Sequence, residues 1–443
     1  MRIGPETFNV LQLGLGFLLI FFASDAQSAI KETIIDQKHK AGVLDEYAGY
    51  ISSGISYGAF TFSNFVSAPI VRLLGPRWAL VIGAVVYALF QAGFFFLNEP
   101  FLYITSILVG LASGLIWTAQ GKYIAINSTD NTAGTHSSLF WGMSQLCLVG
   151  SGAFLYFAFR DLKDNDTIDD STLNLLYGVF TAVSVAGVVV FGLLRIPERD
   201  EPFVSPELEP ESKMTFKEGL YSTFKLLTEK RILFLAASFI YIGVEVPFRS
   251  GIYPSAISFT KKLATNTKAI VALNTISQGI GQVTAGFLFG ILGGVTKKLG
   301  RITVILIGLV AHFLAFVAAY LNFPNDAPLG KTEKEGIIKP PNVAIALICG
   351  YLLGFGNACW NTQIFSLLVA KYNKKSAEAF ALFFGFQSLT TAIAFIYASY
   401  FTMVIHILVL VVVVILGFIG FSVAEKLPTP TEEVDEHSTI HVD

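Results

Sequence analysis

Long apolar runs separated by short polar breaks fill almost the whole chain. A helix needs about 20 mostly apolar residues to cross the hydrocarbon core of a bilayer. That criterion predicts six spans over residues 8–29, 47–70, 78–97, 101–126, 139–159 and 172–194. Six more follow over 231–255, 267–292, 302–322, 342–369, 379–400 and 403–422. The narrowest breaks are Asn98-Glu-Pro100, between the third and fourth spans, and the turn near Thr402, between the last two. Phe8 to Ala29 is too long for a signal-peptide core and is expected to stay as the first helix.

The pattern repeats. Leu115-Ile-Trp-Thr-Ala-Gln-Gly121 is echoed by Cys359-Trp-Asn-Thr-Gln363, so Trp117/Gln120 and Trp360/Gln363 each share one helix face. Gln145 answers to Gln387 and Ala153-Phe-Leu-Tyr156 to Ala394-Phe-Ile-Tyr397, at offsets of 241 to 243 residues. The loops repeat as well: Leu74-Gly-Pro-Arg77 corresponds to Leu299-Gly-Arg301. The expected organisation is a six-helix bundle over 1–194, a linker over 195–230, a second bundle over 231–424 and an acidic disordered tail over 425–443. In the linker, Pro202, Pro206 and Pro210 stand among acids, and Thr215-Phe-Lys-Glu218 has capping-box spacing. Phe216, Leu220, Phe224 and Leu227 then recur at helical spacing opposite Lys217, Glu218, Lys225 and Glu229. An amphipathic interfacial helix packed under the second half is expected there.

Composition narrows the class. The chain is 53% hydrophobic and only 14% charged, against about 25% charged in soluble domains. A net charge of -2 supplies no basic field for nucleic acid. Cys147, Cys349 and Cys359 all fall in apolar spans and read as packing residues, with no metal spacing and no cofactor expected. No phosphate loop or nucleophile elbow is present, so an enzyme is not expected. The basic residues Arg72, Arg77, Lys297, Lys298, Arg301, Lys371, Lys374 and Lys375 share one side and place both termini in the cytoplasm. The sequon at Asn165 then lies outside and is a candidate glycosylation site, whereas Asn127 lies inside and should stay unmodified.

Parallel six-span repeats describe the major facilitator architecture. Lys297-Lys-Leu-Gly-Arg301 resembles that superfamily's basic cytoplasmic turn, except that Lys297 stands where the pattern has an acid. The first copy, around Arg72 and Arg77, lacks the acid too, so neither turn carries the acid of that superfamily's latch. Val109 to Tyr123, Ala125-Ile-Asn127 and Gly243-Val-Glu-Val-Pro-Phe-Arg-Ser-Gly-Ile-Tyr253 are similar to the uncoordinated-ninety-three-like branch, in particular its orphan major-facilitator-domain-containing subgroup. The resemblance implies an all-α integral membrane fold of twelve helices in two pseudo-symmetric bundles. It leaves two functions open: alternating-access passage of a small solute, with or without proton coupling, or an accessory subunit of a channel or a receptor-trafficking partner. The expected residence is the plasma or an endolysosomal membrane.

Ionisable groups at membrane depth are functional candidates by default. Asp25 lies in the first span, and Glu245 and Arg249, one turn apart, in the equivalent seventh. Glu245 and Arg249 either neutralise each other within their helix or face a central cavity with Asp25. The amides Gln120, Gln145, Gln363, Gln387, Asn274, Gln278, Gln282 and Asn361 must find partners between helices or face a wet cavity. Trp117 and Trp360 either stack on a solute or fill the core. His312 and His406 read as packed imidazoles, Lys122 as a snorkelling residue, and Gly54/Gly58 as a close-contact pair.

Overall fold

The computed structural model describes residues 4–40, 42–45, 48–159, 170–197, 215–398 and 400–428. Asn165, most of the linker over 198–214 and the tail from 429 lie outside them. The first half comprises α1 (Pro5–Lys40), α2 (Ala48–Leu74), α3 (Pro76–Gly93), α4 (Glu99–Ile126), a fifth span broken into α5 (Ala133–Ser144) and α6 (Leu146–Phe159), and α7 (Asp170–Gly192). The linker helix is α8 (Phe216–Leu226). The second half begins with α9 (Lys230–Pro247), a π-turn (Phe248–Ile252) and α10 (Tyr253–Phe259), which together form the seventh span. Then come α11 (Thr267–Ile291), the short α12 (Gly293–Leu299), α13 (Arg301–Asn322), α14 (Val343–Lys371), α15 (Ser376–Ala398) and α16 (Met403–Lys426).

Ten segments among the described residues are long and apolar enough to cross a membrane, and the bent pair α11–α12 makes an eleventh. The 27-residue α2, richer in Ser and Gly, completes the twelve. The narrow breaks fall where the sequence puts them: Asn98 caps α4 by accepting from the Phe101 amide, and α16 starts after Thr402. The repeat is visible in the backbone. Gly75 (φ 75°, ψ 153°) and Gly300 (φ 78°, ψ 155°) begin α3 and α13 in a region open essentially only to glycine. The arginines after them have matching jobs. Arg77 donates to the Gly192 carbonyl at the end of the sixth span, and Arg301 pairs with Glu425 (2.8 Å) at the end of the twelfth.

The halves meet along α2 against α15 and along α5–α6 against α11. Small residues set the approach, as membrane packing requires. A Cβ built on Gly286 of α11 would stand 2.5 Å from the Gly142 backbone of α5. Gly54 and Gly58 are not part of this: nothing lies within 4 Å of a Cβ at either, because their face of α2 is exposed. The close contacts of α2 are instead made by Gly110 and Gly114 of α4.

The capping box of α8 is formed, with the Thr215 amide donating to Glu218 (2.6 Å). The docking differs from expectation. The buried residues of α8 are Gly219, Thr223 and Leu226; Gly219 sits against Pro69 of α2, and Phe224 stacks on Phe65 at 6.0 Å. The linker helix therefore packs chiefly on the first half and touches the start of α15. Small residues allow that close approach, which leaves Phe216, Tyr221 and Phe224 turned outward. α8, the start of α1 and the end of α16 lie on one side of the bundle, the linker face.

Candidate functional site

Pro247 shapes the seventh span. Proline has no N–H for the carbonyl four residues earlier. The orphaned Gly243 carbonyl accepts instead from the Thr391 hydroxyl of α15 (2.9 Å). The π-turn that follows re-aims Phe248–Ile252 and sets Arg249 above Glu245. Glu245 is fully buried, 3.1 Å from Arg249 Nε, and accepts from Asn357 Nδ2 of α14 (2.7 Å). Arg249 reaches Gln278 Oε1 of α11 (3.5 Å), and Gln278 Nε2 donates to the Arg249 carbonyl (3.1 Å). Asn361 extends the network by donating to Asn357 Oδ1 (3.1 Å).

Across the junction stands Asp25 of α1, which accepts a weak bond from Cys147 Sγ of α6 (3.5 Å). The chain closes through packing. Leu148 and Val149, next to Cys147, lie against Gly279, the neighbour of Gln278. Asp25 and Arg249 are within electrostatic reach of each other, and Tyr57 of α2 is within reach of both. All three keep some accessible surface although they lie inside the helix bundle. Asp25 and Arg249 also sit at matching heights, about 30 Å and 28 Å along their spans from the linker face. One polar layer, beyond mid-depth, thus joins both halves.

The linker face is sealed. Phe365 of α14 meets Trp141 of α5 (5.5 Å) and Phe380 of α15 (5.0 Å), and Trp117 meets Phe17 (5.0 Å) and Phe384 (5.2 Å). Trp141 Nε1 also donates to Gln282 across the junction (3.0 Å). Below these rings Arg72, at the end of α2, forms an ion pair with Glu378 in the first turn of α15. The Glu378 side chain is fully buried and that of Arg72 is 9% exposed. An acid near a helix N-terminus is favoured by the helix dipole. The acid missing from both basic turns has a counterpart here on the opposite half. Asn373 and Lys297 add bonds to Ala125 O (3.2 Å) and Asn131 (2.5 Å).

The structure divides the candidates. Asp25, Glu245, Arg249 and Gln278 come together, with Asn357 added. Trp360, Gln120 and Gln363 do not join them. Trp360 is fully buried in the second half, 4.7 Å from Tyr241, and Gln120 is fully buried without a hydrogen-bond partner for its amide among the described residues. Gln363 bonds Thr362 (3.1 Å) and borders a cavity of about 220 Å³ at the linker face. Trp117 belongs to the aromatic seal. The physical reason is height: Trp117 is about 27 Å from the far end of α4, a different layer from Asp25. Gln145 forms the break in the fifth span, and half-buried Gln387 lies where α15 crosses Gly243 of α9. Asn274 is packed under Gly350. His312 is held by the Tyr241 hydroxyl and the Leu353 carbonyl (3.0 Å), and His406 is buried against Tyr397 and Phe401. Asn127 is buried and donates to the Tyr123 carbonyl (2.9 Å). Glu378 and Asn357 were not singled out from sequence; an acid or amide within an apolar helix is the signal that marks both.

Two six-helix halves around a polar layer define a membrane protein of the major facilitator type. A major facilitator superfamily transporter, FucP, in the outward conformation superimposes with a TM-score of 0.65 at 14% identity, over 94% of this chain and 99% of that one. The proton:xylose symporter XylE bound to 6-bromo-6-deoxy-D-glucose gives 0.66 at 17%, over 94% and 95%. The family described as "Ion channel regulatory protein UNC-93" matches residues 40–422, and the chain belongs to it. UNC93-like protein MFSD11 of Xenopus tropicalis is 33% identical over 95% of this chain and 97% of its own length. Protein unc-93 homolog A of Homo sapiens is 24% identical over 94% and 93%.

Proposed function

We propose that the protein passes a small solute by alternating access and that this structure is the state closed at the linker face. The observation that supports this is the pairing of a polar layer drawn from both halves, Asp25 with Glu245–Arg249–Gln278, with a seal of rings and the Arg72–Glu378 pair on one side of it. In this reading the linker face is cytoplasmic, both termini are inside and Asn165 carries a glycan outside. Asp25, which has no cationic partner within hydrogen-bonding distance among the described residues, is where a coupling proton or the solute's own charge is held.

The test is accumulation from a complex metabolite extract by proteoliposomes, wild type beside Glu245→Gln, read by mass spectrometry. At least one solute should enter with the wild type and not with the variant. Accumulation by neither, together with co-purification of a channel or receptor, would favour the second reading, a non-transporting accessory subunit. The description of the matched family and the acid missing from both basic turns speak for that alternative.

A further inference from the structure

The polar layer carries an uncompensated charge. Glu245 and Arg249 offset each other at 3.1 Å, and each has one amide partner besides, Asn357 on Glu245 and Gln278 on Arg249. Asp25 has only the Cys147 thiol at 3.5 Å, and no Lys, Arg or His forms an ion pair with it among the described residues. With both acids and the arginine charged, the layer sums to one negative charge within the membrane-spanning part of the bundle. Such a charge is costly unless it is met by a counter-ion.

We infer that the polar layer takes a monocationic organic solute, an amine or ammonium compound, with Asp25 as its counter-ion. The proposal deepens the passage reading and rests on it. Three observations favour this class. A single positive charge brings the layer to neutrality, whereas a zwitterion or a neutral sugar leaves it at minus one and an anion makes it worse. The half-buried Tyr57, within electrostatic reach of Asp25, meets the ring of Phe395 of the other half at 5.6 Å in a tilted arrangement. Aromatic rings beside a carboxylate bind ammonium groups through their negative faces. Tyr87, whose hydroxyl is bonded to Ser113 (2.7 Å), adds a further ring within reach of Asp25. Finally, Tyr57 and Phe395 come from opposite halves, so a solute held there feels both halves move.

The experiment is thermal unfolding of the nanodisc-reconstituted full chain, at constant ionic strength, against four probe classes with sodium and potassium chloride as controls. The classes are primary and quaternary amines, zwitterionic amino acids, neutral hexoses and carboxylates. Ligand binding to the folded state raises its melting temperature. Amines should give a saturable rise, the half-saturating concentration should increase on the order of tenfold or more in Asp25→Asn, and Asp25→Glu should retain binding. If Asp25→Asn does not fold, Asp25→Glu against Tyr57→Leu carries the test, with weakening expected only in the latter. Stabilisation by zwitterions, hexoses or carboxylates alone would overturn the inference and leave passage standing. Amines that bind but do not accumulate in proteoliposomes would uphold the site and remove passage. A shift with alkali cations only, with acidification only, or with no probe would overturn the inference.

Discussion

Replacing Arg72 with methionine should open the linker face. In the closed state Glu378 is fully buried and Arg72 nearly so, and the two meet across the junction between the halves. Removing one partner of a buried ion pair costs about 3–5 kcal/mol, because the remaining charge stays desolvated. Separation of the halves lets water reach Glu378, so most of that cost falls on the closed state alone. At about 1.4 kcal/mol per factor of ten, the closed-to-open ratio should fall by roughly two to three and a half orders of magnitude. Spin labels on the exposed positions Asp130 and Lys374, one in each half, report the opening as a longer distance population in double electron–electron resonance. The double variant Arg72→Met/Glu378→Leu removes both charges and should recover much of the wild-type distribution and melting temperature. An unchanged distance distribution in Arg72→Met would refute the latch. A double variant as open as the single one would refute the buried-charge reasoning behind it.

Three further outcomes follow from the same geometry. Gly300→Ala and Gly75→Ala force a side chain into φ near +75°, and each should lower stability by about 1–3 kcal/mol in thermal unfolding, with similar losses because the two turns are equivalent. Thr391→Val removes the donor to the Gly243 carbonyl that Pro247 leaves free; a loss of about 1–3 kcal/mol and weaker solute binding through Arg249 are expected, and an unchanged melting temperature would show that the carbonyl needs no partner. The Thr215 amide holds the Glu218 carboxyl below its ordinary range, so its support of α8 is present above the unfolded value of about 4.3 and is lost as the pH falls through the lower folded value. Amide exchange over Phe216–Leu226, corrected for intrinsic rates, should therefore be flat near neutrality and rise only on acidification below about 4, and an exchange rate independent of pH there would refute the capping box.

The spans were legible because bilayer thickness sets a length that a hydropathy pattern records directly, and the repeat was legible because both halves solve the same turn with glycine and arginine. The site was legible only in part. Charges announce themselves in apolar helices, so Asp25, Glu245 and Arg249 could be found. The Trp-x-x-Gln pairs misled, since helical spacing fixes which way a side chain points around the axis and says nothing of its height in the bundle. Trp117 and Trp360 share a register within the repeat, yet one ended in the seal and the other in a core. Likewise the outward face of Gly54 and Gly58, and the docking of α8 through Gly219, depend on which neighbour arrives, and that is a tertiary fact.

The most direct test is sided cysteine labelling in oriented membrane vesicles, with Cys147, Cys349 and Cys359 replaced and single cysteines placed at Tyr57 and Asp130. The exposed Asp130 borders the linker-face cavity and Tyr57 the polar layer beyond the seal. A membrane-impermeant maleimide should reach Tyr57→Cys only from the side opposite the linker and Asp130→Cys only from the linker side. Labelling of both positions from one side, or protection of Tyr57→Cys from both, would contradict a passage closed at the linker face and open beyond it.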